Sequence, residues 1–167
     1  MTVKKILMLC VIGFCLPLIA VAQEYPKAEI FGGYSYLRGE DLNANFSGFN
    51  VSATGNFNNW FGVTGDFSGH YKYDFKIHSF LFGPKFSFRG NDRVTPYLHT
   101  LIGAVTLGEY RSNTVFGWAS GGGVDIKVHP KIAIRVIDIN YLLLRDRGYN
   151  SHNGRLSWGV VWRLGGN

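Results

Sequence analysis

The stretch Arg155-Leu-Ser-Trp-Gly-Val-Val-Trp-Arg-Leu164 alternates strictly in polarity. Successive side chains of an extended strand point to opposite faces. Leu156, Trp158, Val160, Trp162 and Leu164 therefore share one face, while Arg155, Ser157, Gly159, Val161 and Arg163 share the other. A face of Trp, Val and Leu needs an apolar neighbour, either a protein core or the hydrocarbon of a bilayer. The two arginines on the other face need water or counter-charges.

The same two-residue period recurs upstream, and from Ala28 onward no segment has the spacing of an amphipathic helix. It predicts strands over about 28–37, 47–57, 60–70, 78–88, 94–107, 115–127, 132–144 and 155–164. The fourth is the clearest, with Phe80, Phe82, Pro84, Phe86 and Phe88 against Ser79, Gly83, Lys85 and Ser87. The fifth and seventh are less regular. In the seventh, Arg135 and Asp138 fall on opposite faces by parity, which calls for a bulge or for one charge above the hydrocarbon. Asn58-Asn59, Gly90-Asn91-Asp92 and His129-Pro130-Lys131 are tight-turn sequences. Between them the segments 38–45, 71–77, 108–114 and 145–153 read as longer polar loops. The pattern is all-β: an eight-stranded antiparallel up-and-down transmembrane β-barrel with both termini on the turn side.

The competing architecture is a soluble secreted ligand-binding barrel, which would keep its apolar residues inside. Asp66, Lys85, Asp125 and Lys127 on the polar face argue against a dry cavity. Trp118, Trp158, Trp162 and many Phe and Tyr on the other face suit a lipid boundary, where aromatic rings are enriched.

The N-terminus has the three parts of a secretory signal. Lys4 and Lys5 form its charged region, 6–19 its apolar run and Ala20-Val21-Ala22 its cleavage site. This predicts a cleaved signal peptide over 1–22 and a barrel domain over 23–167. Cys10 and Cys15 both lie in the signal, so the processed chain has no thiol for a disulfide or a metal. Cleavage also removes Lys4 and Lys5, lowering the formal charge from +6 to +4. The remaining basic residues are scattered singly, which speaks against nucleic acid as a partner and suits anionic lipid headgroups. Export together with an outward apolar face predicts the bacterial cell outer membrane.

Over most of Ala28 to Leu164 the chain resembles the small outer-membrane β-barrel proteins of the OmpA/OmpX type. Three features carry the resemblance. They are the opening strand Ile30-Phe31-Gly32-Gly33-Tyr34-Ser35-Tyr36, the Gly-rich sixth strand ending Gly123-Val124-Asp125-Ile126-Lys127, and the closing strand. There Ser157-x-Gly159-x-x-Trp162-x-Leu164 is similar to the signal read by barrel-assembly machinery. The resemblance implies a monomer inserted by that machinery, in contact with outer-membrane lipid and lipopolysaccharide.

An eight-stranded barrel is just wide enough for its interior to be filled by side chains, so charges there must pair. The expected network is Glu29, Asp66, Lys85, Asp125, Lys127, Arg135 and Arg163. Asp66 is expected to meet Lys85, Asp125 or Lys127 to meet Arg135, and Glu29 to meet Arg163 where the barrel closes. No histidine pair has metal-ligand spacing, although His70 and His78 could approach across a loop, and no cofactor or metal is expected. An enzyme acting on lipid A by acyl transfer or deacylation is the alternative. It needs a Ser activated by His; His78-Ser79 are strand neighbours and face apart, while Ser68 and His70 share a face. Gly32-Gly33 and Gly121-Gly122-Gly123 open no helix and so form no phosphate loop. The reading is a non-enzymatic barrel with no open pore and a structural or surface-interaction role.

Overall fold

The computed structural model describes residues 25–39, 44–73, 75–108, 112–146 and 149–165. They form eight antiparallel strands: β1 (Ala28–Gly39), β2 (Ala44–Asn56), β3 (Phe61–Lys72), β4 (Phe75–Ser87), β5 (Val94–Gly108), β6 (Ser112–His129), β7 (Ile132–Asp146) and β8 (Tyr149–Leu164). Each pairs with its sequence neighbours, and β1 pairs with β8 to close the barrel. Among the described residues no helix is long and apolar enough to cross a membrane.

The closing seam needs glycine. Gly33 of β1 faces Gly159 of β8. A Cβ on Gly33 would lie 2.1 Å from the Trp158 carbonyl oxygen, and one on Gly159 would lie 2.3 Å from that of Gly32. Backbone fills the space that any side chain would take.

The wall is apolar outside and mainly polar inside. Phe80, Phe82, Ile102, Ile139, Trp158 and Trp162 are exposed, whereas Glu29, Asp66, Lys85, Asp125, Arg135 and Arg155 are buried. Exposed aromatic side chains line the outer face from end to end. On the turn side the Trp60 and Phe86 rings stack at 6.0 Å. On the other side Tyr71 and His78 are hydrogen-bonded at 3.1 Å, and Tyr141 and His152 are also joined.

The four longer loops expected from the sequence are mostly strand. The ladders continue to Gly39↔Ala44, Lys72↔Phe75, Gly108↔Ser112 and Asp146↔Tyr149, leaving connections of two to four residues. The reason is solvent: a wall that rises above the hydrocarbon is wetted outside. Residues such as Lys76, Asn113 and Asn150 lose the polarity contrast while the backbone pairing persists. Tyr73, in the shortest kind of connection, has φ 53°, the left-handed conformation that two-residue hairpins demand.

The turn side connects through 57–60, 88–93 and 130–131. Asn58 Oδ1 accepts from the backbone N–H groups of Trp60 and Phe61, and Asn91 Oδ1 from those of Arg93 and Val94. These side chains supply the turn's internal hydrogen bonds.

The parity conflict in β7 is resolved by a bulge. Asp125 pairs with Arg135 and Val124 with Ile137, so one extra residue sits in β7. The same shift appears against β8 between Arg135 and Asp138. Val136 and Ile137 both face outward, at 47% and 38% exposure, and Arg135 and Asp138 both face in.

Candidate functional site: a filled lumen

Near the turn-side end, β1 supplies Glu29. Its carboxylate accepts from Lys85 Nζ at 2.9 Å and Arg89 Nη2 at 3.1 Å, and Arg163 Nε stands 3.8 Å away. Arg89 also donates to the Asn59 carbonyl oxygen at 2.5 Å.

Arg135 comes next. Its Nε and Nη2 donate to the two carboxylate oxygens of Asp125 at 2.8 and 3.1 Å. This bidentate geometry is among the stronger forms of charge pairing. The guanidinium also lies over the rings of Phe31 and Tyr97, at 4.4 and 4.5 Å from their centroids. Asp138 is 3.8 Å from its Nη1 and accepts from Asn140 Nδ2 at 2.9 Å. His99 is hydrogen-bonded to Asn140 and lies 3.8 Å from Asp138.

A third group spans the lumen. Arg155 Nη1 donates to Asp66 Oδ1 at 2.7 Å, and Asn50 Nδ2 donates to the other oxygen at 2.8 Å. His70 Nε2 and Ser35 Oγ are hydrogen-bonded at 2.8 Å, and Ser35 meets Ser157 at 2.9 Å.

Towards the loop side the filling changes character. Leu37, Phe46, Ile77, Leu81, Leu101, Val105, Val115, Ala119, Leu142 and Leu144 form one buried apolar cluster. Above it lies an open-mouthed cavity of about 270 Å³, lined chiefly by Leu37, Phe46, Phe75, Ile77, Leu107 and Val115. Alternation along the sequence does not reveal this apolar half. Strands with apolar residues on both faces lose their period-two contrast, which is why β5 and β7 looked irregular.

Of the expected network, Glu29 is joined to Lys85 and lies near Arg163, and Asp125 is joined to Arg135. The expected Asp66–Lys85 pair is not formed. Asp66 lies opposite Leu81 and Lys85 opposite Gly62, so the register sets them four residues apart along the ladder. Lys127 is half-buried at the turn-side mouth and makes no ion pair among the described residues. Arg155 has the inward parity expected from alternation but a partner two strands beyond its neighbour, which parity cannot reveal. Arg89, two residues after the inward Ser87, was recoverable by continuing the alternation past the strand end. His70 and His78 do not approach as ligands, since His70 is buried in the lumen and His78 is on the outer wall. Among the described residues, no three His, Cys, Asp or Glu side chains are placed to hold a metal. Ser157, Gly159, Trp162 and Leu164 all lie in β8, the first two facing inward and the last two outward.

The family model for the outer membrane protein β-barrel domain matches residues 6–163. The chain belongs to this outer-membrane β-barrel family. That membership implies a bacterial outer membrane, crossed by strands. The fold is similar to that of neisserial surface protein A, at 18% identity and a TM-score of 0.71, covering 83% of this chain and 97% of that one. It is similar to Ail, the attachment invasion locus protein of Yersinia pestis, at 24% identity and a TM-score of 0.53, covering 83% and 99%. It is also similar to OprG from Pseudomonas aeruginosa, at 10% identity and a TM-score of 0.62, covering 86% and 98%. No curated protein matches the chain.

Proposed function

We propose that this outer-membrane barrel is a non-conducting, non-enzymatic protein with a structural or surface-interaction role. It is exported by a cleaved signal peptide, inserted by barrel-assembly machinery through its closing strand, and works as a monomer against lipid and lipopolysaccharide. The observation that carries the closed lumen is the stacking of three charge clusters, on Glu29, Arg135 and Asp66, beneath an apolar plug. An ion entering this interior would have to displace paired charges and then cross dry side chains, both costly steps.

Against acyl transfer stands the geometry of the Ser–His contact. Ser35 is fully buried, and His70 Nδ1 has no hydrogen-bond partner to orient the ring. A nucleophile needs both substrate access and an oriented base. Surface interaction would fall to the loop-side crest, where Tyr73 is 95% exposed beside the outward-facing Tyr71 and Lys76.

Planar-bilayer recording of the purified barrel is the test. No steady conductance is expected from the wild type. A steady current altered by Lys85→Met or Asp66→Asn would sink the closed-lumen reading.

A further inference from the structure

At the turn-side end of the lumen, cations outnumber carboxylates. Lys85, Arg89 and Arg163 all converge on Glu29, at 2.9, 3.1 and 3.8 Å. The carboxylates deeper in the lumen do not offset the excess, because Asp66 is held by Arg155 and Asp125 and Asp138 share Arg135.

Beside this cluster a cavity of about 90 Å³ opens at the mouth, lined by Arg89, Arg163 and Lys127 together with Thr95 and Asn91. Asp92 is its one acidic lining residue, and it is exposed. The Arg89 and Arg163 side chains are only 10% and 8% exposed. The Nε–H of each has no hydrogen-bond partner. A buried guanidinium donor left unpaired is costly, and an oxyanion is the acceptor that best matches it. The cavity exceeds the ~30 Å³ share of a single water. It has room for a tetrahedral oxyanion.

We propose that this mouth binds a phosphate-type oxyanion, with the guanidinium groups of Arg89 and Arg163 donating and Lys127 supplying further positive charge. The chemistry is the same whether the oxyanion is free inorganic phosphate or the phosphodiester of an anionic lipid headgroup, one with no choline cation beside it, at the adjacent rim. The site does not depend on whether the lumen conducts.

The test follows the arginine Nε–H signals by NMR in the full barrel refolded in an uncharged detergent. Inorganic phosphate is titrated at constant ionic strength, with chloride as the balancing anion. The Arg89 and Arg163 signals should shift saturably with phosphate, and chloride alone should not reproduce the shift. Arg163→Gln and Lys127→Gln should each weaken the response about tenfold, as loss of one charge-assisted contact predicts. Lys131→Gln, at an exposed lysine outside the cavity, should leave it unchanged.

In a second arm, the barrel is placed in bilayer discs of phosphatidylcholine alone or with added phosphatidylglycerol. A shift that tracks phosphatidylglycerol and not free phosphate assigns the site to a headgroup, and the reverse assigns it to the free anion. Shifts linear in every salt, with no lipid dependence, would overturn the proposal. So would a saturable response that survives Lys127→Gln, a change outside the ion-paired network and therefore compatible with folding.

Discussion

Arg155 of β8 donates to Asp66 of β3 at 2.7 Å, joining two strands that share no ladder. The contact braces opposite parts of the wall through the lumen. Ladder hydrogen bonds alone would let the barrel cross-section flatten. A charge pair across it resists that deformation, because both side chains are almost fully removed from solvent.

This brace predicts a specific coupling. Arg155→Met leaves Asp66 with Asn50 as its remaining side-chain donor, and breaking a buried pair from one side costs about 3–5 kcal/mol in a dry site. Asp66→Asn in the same chain should recover part of that loss. The matching cycle between Asp66 and Lys85 should be additive to within about 0.5 kcal/mol, since the two share no partner. Urea unfolding from liposomes, followed by tryptophan fluorescence, measures both cycles. Coupling in the second cycle and none in the first would restore the pairing expected from sequence.

The outer face yields a depth-dependent prediction. Phe82 lies within β4 and is 54% exposed, whereas Phe88, at 56%, follows the strand's turn-side end. Phe82→Arg should cost about 2–4 kcal/mol and Phe88→Arg about 0–1, because the penalty for a cation falls towards the interface. Unfolding in bilayers reads the difference. Equal costs at the two positions would show that lipid does not cover this face at those depths.

Period-two alternation made the strands, their order and the inside-outside assignment readable. Phe80, Phe82 and Phe86 against Ser79 and Lys85 needed nothing more than parity. Partners were less readable, because register decides them and register depends on turns and bulges. Asp66 and Lys85 illustrate this: each faces inward as expected, yet four ladder positions separate them. Gly83 shows a second limit. Parity marks it as a lumen position open to small polar residues, but a Cβ there would lie 2.1 Å from the Thr100 carbonyl oxygen. The apolar plug was hidden for a third reason. Leu101, Val105 and Leu142 face inward on strands whose outer faces are also apolar, which erases the contrast that alternation relies on.

The bulge in β7 is itself testable. Deleting Val136 leaves Ile137 alone between Arg135 and Asp138, so simple alternation keeps both charges in the lumen with no bulge and both ladders regular. Arg135 can then keep Asp125, and no charge turns towards the outer face. Val136→Arg instead places a charge on that face, at about 2–4 kcal/mol for a basic residue near mid-depth. Val136→Ala keeps the register and removes only exposed apolar surface, at a cost of roughly 1 kcal/mol. Heat-modifiability on a gel should show a folded band for the alanine variant and for the deletion, and a weaker one for the arginine variant. Loss of the folded band on deletion would mean that Val136 does more than absorb the odd spacing of Arg135 and Asp138.

The closing strand gives the last prediction. Trp162 pairs with Ile30 of β1 and with Ile132 of β7, so residues 162–164 hold both neighbours at the turn-side end. Deleting Trp162, Arg163 and Leu164 would leave two rows of backbone donors and acceptors unpaired. In hydrocarbon each unpaired group costs several kcal/mol, since no water reaches it. The deletion also removes Arg163 from the Glu29 cluster. The truncated chain should reach the periplasm and accumulate there or be degraded, leaving the outer-membrane fraction empty. Trp162→Phe keeps a ring and the ladder, and should insert normally. Cell fractionation with an antibody to the barrel separates the outcomes. Wild-type levels of the truncated chain in the outer membrane would show that the end of β8 is dispensable for closure and assembly.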